Sequence, residues 1–257
     1  MMLFTFIIRN DKIAIGIVRD GALAGSASIS TDTKRTADEY AVLLKNILDF
    51  QGFSASQFDG AICASVVPAI TDVLREAVHR LLGHRPHLIG SGIKTGLTIT
   101  TENPAELGGD MVASAVGAIG KYPTPAILVD CGTAITFSLL DEDGRFIGCA
   151  IAPGLSLSAS ALSDTAGLLP QVSHGAPKSV IGKNTAESLR AGTVLGFASM
   201  VDGMLDRIEE AHGTVKTTLL SGEDADFLLP HLRHTAVKDN TLAPLGLATI
   251  YQKNKRK

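Results

Sequence analysis

Two short stretches carry residue types that suit phosphoryl and cation chemistry. In Ala126 to Gly148 an apolar run ends at Asp130, and Gly132, Thr133 and Ala134 follow it. A carboxylate at a strand end can hold a cation. The glycine lets backbone N–H groups approach an anion, and the threonine adds a hydroxyl. The same residues serve equally well in an ordinary hairpin in which Asp130 caps a turn. The second stretch is Leu107-Gly108-Gly109-Asp110-Met111. Two glycines inside a helix would cost about 1 kcal/mol each. A helix that begins at Asp110, with something packed close to the glycines, explains them better. Asp110 is then either an N-cap carboxylate or a carboxylate exposed at a cleft.

The elements that must position these residues follow from apolar periodicity. The opening stretch reads as strand, tight turn, strand, hairpin turn and strand. The N-terminus has the same plan: Phe4 to Ile8, a turn at Arg9 to Lys12, Ile13 to Val18, and a turn at Arg19 to Ala22. An offset of 123 residues carries Gly21 onto Gly144 and Gly25 onto Gly148. The two halves therefore look like copies of one supersecondary unit. The same offset puts Ile7 where Asp130 stands, Arg9 where Gly132 stands and Asn10 where Thr133 stands.

Thr36 with Glu39 predicts a capping box before an amphipathic helix carrying Tyr40, Leu44 and Leu48. Gly60 to Val67 is a buried strand, Ile70 to Leu82 a helix and His87 to Gly90 a short strand. Asn103-Pro104 starts a helix. Leu155 to Leu162 begins a helix, and Gly182 to Thr185 is a polar turn leading into another, which continues through Gly192. Ala198 to Ala211 is an amphipathic helix. Thr217 to Leu220 is a strand that turns at Ser221 to Asp224, and the last helix runs from Leu242 to Tyr251.

Composition narrows the functional classes. The chain has 257 residues, 45% hydrophobic and 19% charged, enough for one large or two ordinary domains. A net charge of −3 gives no support for nucleic-acid binding. The basic end, Lys253 to Lys257, reads as a solvated tail. Three widely spaced cysteines give neither a disulfide framework nor a zinc site. His79, His84 and His87 read as surface or turn histidines. No apolar run reaches about 18 residues, so no transmembrane helix is expected, and a cytoplasmic location is the default.

Several segments, in order, resemble the type III pantothenate kinase family. They are ISTDTKRTADEY (Ile29 to Tyr40), SVVP (Ser65 to Pro68), GIKTGL (Gly92 to Leu97), ENP (Glu102 to Pro104) and GGDM (Gly108 to Met111). VDCGTAIT (Val129 to Thr136), APGLSLSASAL (Ala152 to Leu162) and GKNT (Gly182 to Thr185) follow. The resemblance implies the acetate kinase, sugar kinase, Hsp70 and actin fold: α/β, two ribonuclease-H-like domains related by duplication, with nucleotide in the cleft. The expected domains are residues 1–118 and 119–257.

The resemblance also implies ATP-dependent phosphorylation of pantothenate in coenzyme A synthesis, with Mg²⁺ and a monovalent cation, K⁺ or NH4⁺. It further implies an obligate dimer whose active site is shared with the partner subunit. Asp110 matches the catalytic base, which takes the hydroxyl proton. Gly108, Gly109, Met111 and Thr185 fall on the pantothenate side. Asp130 matches the monovalent-cation aspartate. Gly132 and Thr133, with Asn10 and Asp11, fall on the phosphate loops and are the candidate nucleotide contacts.

Three positions depart from the family pattern. The first phosphate loop, Asp-x-Gly-Asn-Thr-Asn in the family, is Ile7-Ile8-Arg9-Asn10-Asp11-Lys12 here, so only Asn10 persists. Met111 stands where the family has arginine, which removes an anion ligand worth about 1.5–3 kcal/mol. Gly222-Glu223 stands for a Gly-Gly near the adenosine. Three readings follow. One is a divergent kinase in which Asp11, Arg9 or Lys12 compensates. Another is an accessory subunit paired with an intact homologue. The third is a non-catalytic module on the same fold.

Overall fold

The computed structural model describes residues 1–173 and 175–255. The chain forms two compact units. The first is Met1–Thr98, Glu102–Lys121 and Thr241–Lys257, and the second is Ile99–Thr101 and Tyr122–Asn240.

In the first unit, β1 (Met2–Ile8), β2 (Lys12–Arg19) and β3 (Ala22–Ser30) form an antiparallel meander. Helix α1 (Ala37–Phe50) leads to β4 (Gly60–Ser65), which pairs parallel to β1. Helix α2 (Pro68–Leu82) precedes the short β5 (His87–Leu88), parallel to β4, and α3 (Gly109–Ile119) follows. The sheet order is β3-β2-β1-β4-β5.

Strand alternation divides β1 between two faces. Phe4, Phe6 and Ile8 join Tyr40, Leu44 and Leu48 of α1 and Ile70, Leu74 and Val78 of α2 in one core. Ile7 points the other way. Its in-register neighbour on β4 is Ala64, whose Cβ lies next to Gly109 at the head of α3.

The second unit repeats the plan with β6 (Ala126–Cys131), β7 (Ala134–Leu140) and β8 (Phe146–Pro153). It continues with α4 (Leu155–Thr165), α5 (Thr185–Arg190), α6 (Gly196–His212), β9 (Thr217–Ser221), α7 (Ala225–Leu228) and β10 (Val237–Lys238). Its order, β10-β9-β6-β7-β8, is that of the first sheet with corresponding strands in corresponding places. The 123-residue offset carries Ile8, the last residue of β1, onto Cys131, the last of β6. It also carries Ser30 of β3 onto Pro153 of β8. The repeat legible in the sequence is therefore a repeat of topology.

The chain ends in α8 (Leu242–Asn254), which counts with the first unit, whereas a division at 118/119 puts it with the second. The reason is a contact between backbones. A Cβ on Gly246 would stand 1.8 Å from the Ala113 carbonyl oxygen, and one on Gly117 would stand 2.0 Å from that of Leu242. Only two glycines let α3 and α8 lie so close.

The basic end is also more structured than a solvated tail. Lys253 and Asn254 are helical, and the Asn254 side chain bonds the Lys94 N–H and C=O at 3.0 and 2.9 Å. Residues 256 and 257 of that stretch lie outside the described residues.

Local signals explain most helix boundaries. Thr36 and Glu39 make the expected capping box: Glu39 Oε2 accepts from the Thr36 N–H at 2.7 Å, and Thr36 Oγ1 accepts from the Glu39 N–H at 3.3 Å. Pro68 opens α2 at N1, and the strand expected to reach Val67 ends at Ser65. Asn103-Pro104 gives a single 3₁₀ turn, Pro104–Glu106, and no longer helix. The helix after Asn184 passes through a π-turn, Ala191–Leu195, straight into α6.

Asp202 of α6 is 2% exposed, and its carboxylate accepts the backbone N–H groups of Arg233 (3.0 Å) and His234 (3.1 Å). Removing it orphans both donors. Asp202→Ala is expected to cost about 1–3 kcal/mol, and Asp202→Asn, which keeps an acceptor, less. Urea denaturation curves of the two variants give the comparison.

Candidate functional site

In the first unit the candidate residues lie at the C-terminal ends of the parallel strands β1 and β4, the edge where open α/β sheets bind ligands. Ile8 and Ser65 end in register, and the Val66 N–H donates to the Ile8 carbonyl at 3.0 Å. Arg9 comes next. Its N–H donates to the Lys12 carbonyl at 2.9 Å, and its own carbonyl accepts from Thr31 Oγ1 at 2.6 Å. The Thr31 N–H donates to the Asp11 carbonyl at 3.0 Å. Tyr40 bonds the Asp32 backbone through its hydroxyl. The Ile29 to Tyr40 segment therefore braces the β1–β2 turn. Asn10 and Asp11 are exposed on that turn.

Gly108 is the N-cap of α3, so Asp110 sits in its first turn and is not the cap. Both glycines have close neighbours, as the sequence required. A Cβ on Gly109 would lie 3.2 Å from that of Ala64, and one on Gly108 would lie 2.6 Å from Asp110 Oδ1. Gly108 thus leaves room for the carboxylate itself. Asp110 Oδ1 accepts the Met111 N–H at 3.0 Å, and Oδ2 lies 3.7 Å from Arg9 Nε, each side chain being 17% exposed. The helix dipole favours an anion here. The Arg9–Asp110 pair joins two segments that sequence reasoning treated separately.

In the second unit Asp130 pairs in register with Thr136 on β7 and Ser221 on β9. Ser221 Oγ donates to Asp130 Oδ1 at 2.8 Å. Gly132 and Thr133 make the tight turn between β6 and β7, closed by the Gly132 N–H on the Ala134 carbonyl at 3.1 Å. Thr133 is exposed, and its carbonyl accepts the Gly154 N–H at 2.9 Å where α4 begins. Gly222 has φ +95°, and a Cβ there would stand 2.2 Å from the Cys131 carbonyl oxygen, so glycine is required on both counts. Glu223 beside it is exposed.

The sequence reading missed Asp224, which is 4% exposed. Its carboxylate accepts from Ser156 Oγ at 2.8 Å, and its N–H donates to the Cys131 carbonyl at 3.1 Å. It ties the end of β9 to the head of α4 around the Gly132–Thr133 turn. No local signal could reveal a partner 68 residues away. Burial, with Asp130 and Asp224 nearby, pushes the Cys131 thiol up to about 12, so it stays neutral and is no nucleophile. Thr185 lies apart from this turn in sequence and element, exposed in the first turn of α5 after the Asn184 cap.

Two five-stranded mixed sheets with this order make a fold shared with sugar kinases and dehydratase activators of known structure. An activator of 2-hydroxyisocaproyl-CoA dehydratase from Clostridium difficile matches with TM-score 0.61 at 12% identity, covering 100% of this chain and 99% of that one. A ROK family glucokinase from Streptomyces griseus matches with TM-score 0.56 at 12% identity, covering 98% and 99%.

Sequence narrows the class further. The type III pantothenate kinase model matches residues 5–207. The type III pantothenate kinase of Moorella thermoacetica is 36% identical over 253 residues, 98% of this chain and 100% of that protein. The chain belongs to the type III pantothenate kinase family.

Proposed function

We propose that this chain transfers the γ-phosphoryl group of ATP to the primary hydroxyl of pantothenate. The observation that carries the reading is the Asp110 carboxylate. It is cleared by Gly108, seated in the first turn of α3 and left with one oxygen facing Arg9. Asp110 takes the hydroxyl proton as the oxygen attacks phosphorus. Gly108, Gly109, Met111 and Thr185 bind pantothenate, and Gly132 and Thr133 bind phosphate.

A monovalent cation suits Asp130, whose carboxylate and the Ser221 hydroxyl are hard oxygen donors. Mg²⁺ fits less well. The first-loop carboxylate of the family is Ile7 here, 4% exposed and apolar. Among the described residues no three His, Cys, Asp or Glu side chains gather to hold an ion. Metal that accompanies the triphosphate enters as part of the substrate, and no step here depends on a loop-held ion. The exposed apolar side chains Leu162, Leu168, Val180 and Ile181 support assembly with a second copy or a homologue. Among the described residues no helix is long and apolar enough to cross a membrane.

Ile7, Arg9, Met111 and Glu223 favour a second reading, an accessory subunit that lends pantothenate-side residues to a homologue with an intact first loop. Pantothenate-dependent ADP release by the purified chain tests the first reading. Turnover by the chain alone is expected. A chain that releases ADP only after such a homologue is added is the accessory subunit.

A further inference from the structure

The resemblance implies an aspartate and a glycine at the head of the first loop, where this chain has Ile7 and Arg9. The backbone of Arg9 is fixed on both sides, through the Lys12 carbonyl and the Thr31 hydroxyl. Its side chain is largely buried and directed at the head of α3, with Nε 3.7 Å from Asp110 Oδ2. A base in action lies about 2.6–3.2 Å from the hydroxyl oxygen it serves. The phosphorus under attack lies roughly 3–3.5 Å beyond that oxygen. A guanidinium this close to the base is within reach of the transferring phosphoryl oxygens.

We infer that Arg9 is a catalytic residue that binds the γ-phosphoryl group, acting as an arginine finger within the chain. The inference rests on the proposed kinase reading. In the step it serves, the pantothenate oxygen forms a bond to the γ-phosphorus. The bond from that phosphorus to the β,γ-bridging oxygen breaks, and its electron pair leaves with ADP. The hydroxyl proton passes to Asp110. Charge on the equatorial phosphoryl oxygens is met by a planar cation with several donors. An arginine can do this from its side chain, whereas a glycine loop does it with backbone N–H groups.

The contrast between a triphosphate and a diphosphate tests this on the full chain. Calorimetric titrations use the β,γ-imido analogue of ATP and ADP, with wild type, Arg9→Ala and Arg9→Gln. Arg9→Gln keeps a polar side chain with a donor near the position of Nε, and drops the charge and the terminal guanidinium nitrogens. Affinity for the analogue is expected to fall about 10- to 100-fold in both variants, with ADP affinity nearly unchanged. In steady state, kcat is expected to fall about 10³-fold with little change in KM for pantothenate.

Equal losses for both nucleotides, no loss for either, or unchanged kcat would make Arg9 a counter-ion of Asp110 and overturn the inference. So would a wild-type chain that binds neither nucleotide. If wild type binds both nucleotides but phosphorylates no pantothenate, the kinase reading fails. The analogue-to-ADP ratio then still decides the role of Arg9 as a γ-phosphate ligand. Should Arg9→Ala not fold, Arg9→Gln carries the comparison.

Discussion

Asp110→Asn is expected to lower kcat for pantothenate phosphorylation by roughly 10²–10⁴-fold, with KM for pantothenate little changed and the fold intact. Asparagine keeps the shape and an oxygen to accept the Met111 N–H, now made at 3.0 Å. What it loses is the capacity to take a proton. It also loses the charge facing Arg9, a pair whose members are each 17% exposed. A fall in kcat without a rise in KM marks an interaction made in the transition state. A large fall in melting temperature instead would make Asp110 a structural anchor of α3. Steady-state kinetics and thermal denaturation of the same preparation separate the two.

Gly246→Ala is expected to be the most damaging conservative change in the chain, at about 3 kcal/mol or more. The added Cβ would stand 1.8 Å from the Ala113 carbonyl oxygen and 2.8 Å from the Gly117 nitrogen, both backbone atoms of α3. No rotamer relieves a clash with backbone, so α3 and α8 must separate. Helix α3 begins at Gly109 and carries Asp110 in its first turn, so a shift of the helix also moves the base.

Scaled to a domain of this size, the loss is a drop in melting temperature of about 6–12 °C. Gly203→Ala in α6 is the control, because a Cβ there meets nothing within 4 Å. It is expected to stabilise by about 0.5–1 kcal/mol. Differential scanning calorimetry of the two variants gives opposite signs if the close helix contact is as described. A Gly246→Ala protein as stable as wild type would show that α3 and α8 are not in backbone contact.

Local patterns in the sequence were enough to reach much of this. The capping box at Thr36 and Glu39 is a matter of four consecutive positions, and it forms as the residue types dictate. The glycines before Asp110 signalled a close neighbour, which is Ala64 on β4. The 123-residue offset revealed the topological repeat because both copies keep their turn glycines.

What was not legible depends on segments distant in the chain. The sequence assigned the last helix by its position; the small residues Ala113, Ala115, Gly117 and Ala118 allow a close helix contact on α3, but no local pattern names Gly246 of α8 as what fills it. Arg9 read as a departure in a phosphate loop whose charge could compensate, with no link to Asp110. Only the ends of β1 and β4, in register with each other, bring it beside Asp110. Asp224 read as a turn residue because its partner, Ser156, lies on another element.

On the proposed reading this chain carries out phosphoryl transfer itself, with Asp110 as base. The most direct measurement follows labelled γ-phosphate from ATP into a phosphomonoester of pantothenate. It compares wild type and Asp110→Asn, each alone and each mixed with a homologue whose first loop reads Asp-x-Gly-Asn-Thr-Asn. Labelled product from wild type alone, and none above background from Asp110→Asn alone, is the predicted result. Product that appears only in the mixtures, at the same rate with either form of this chain, would contradict it.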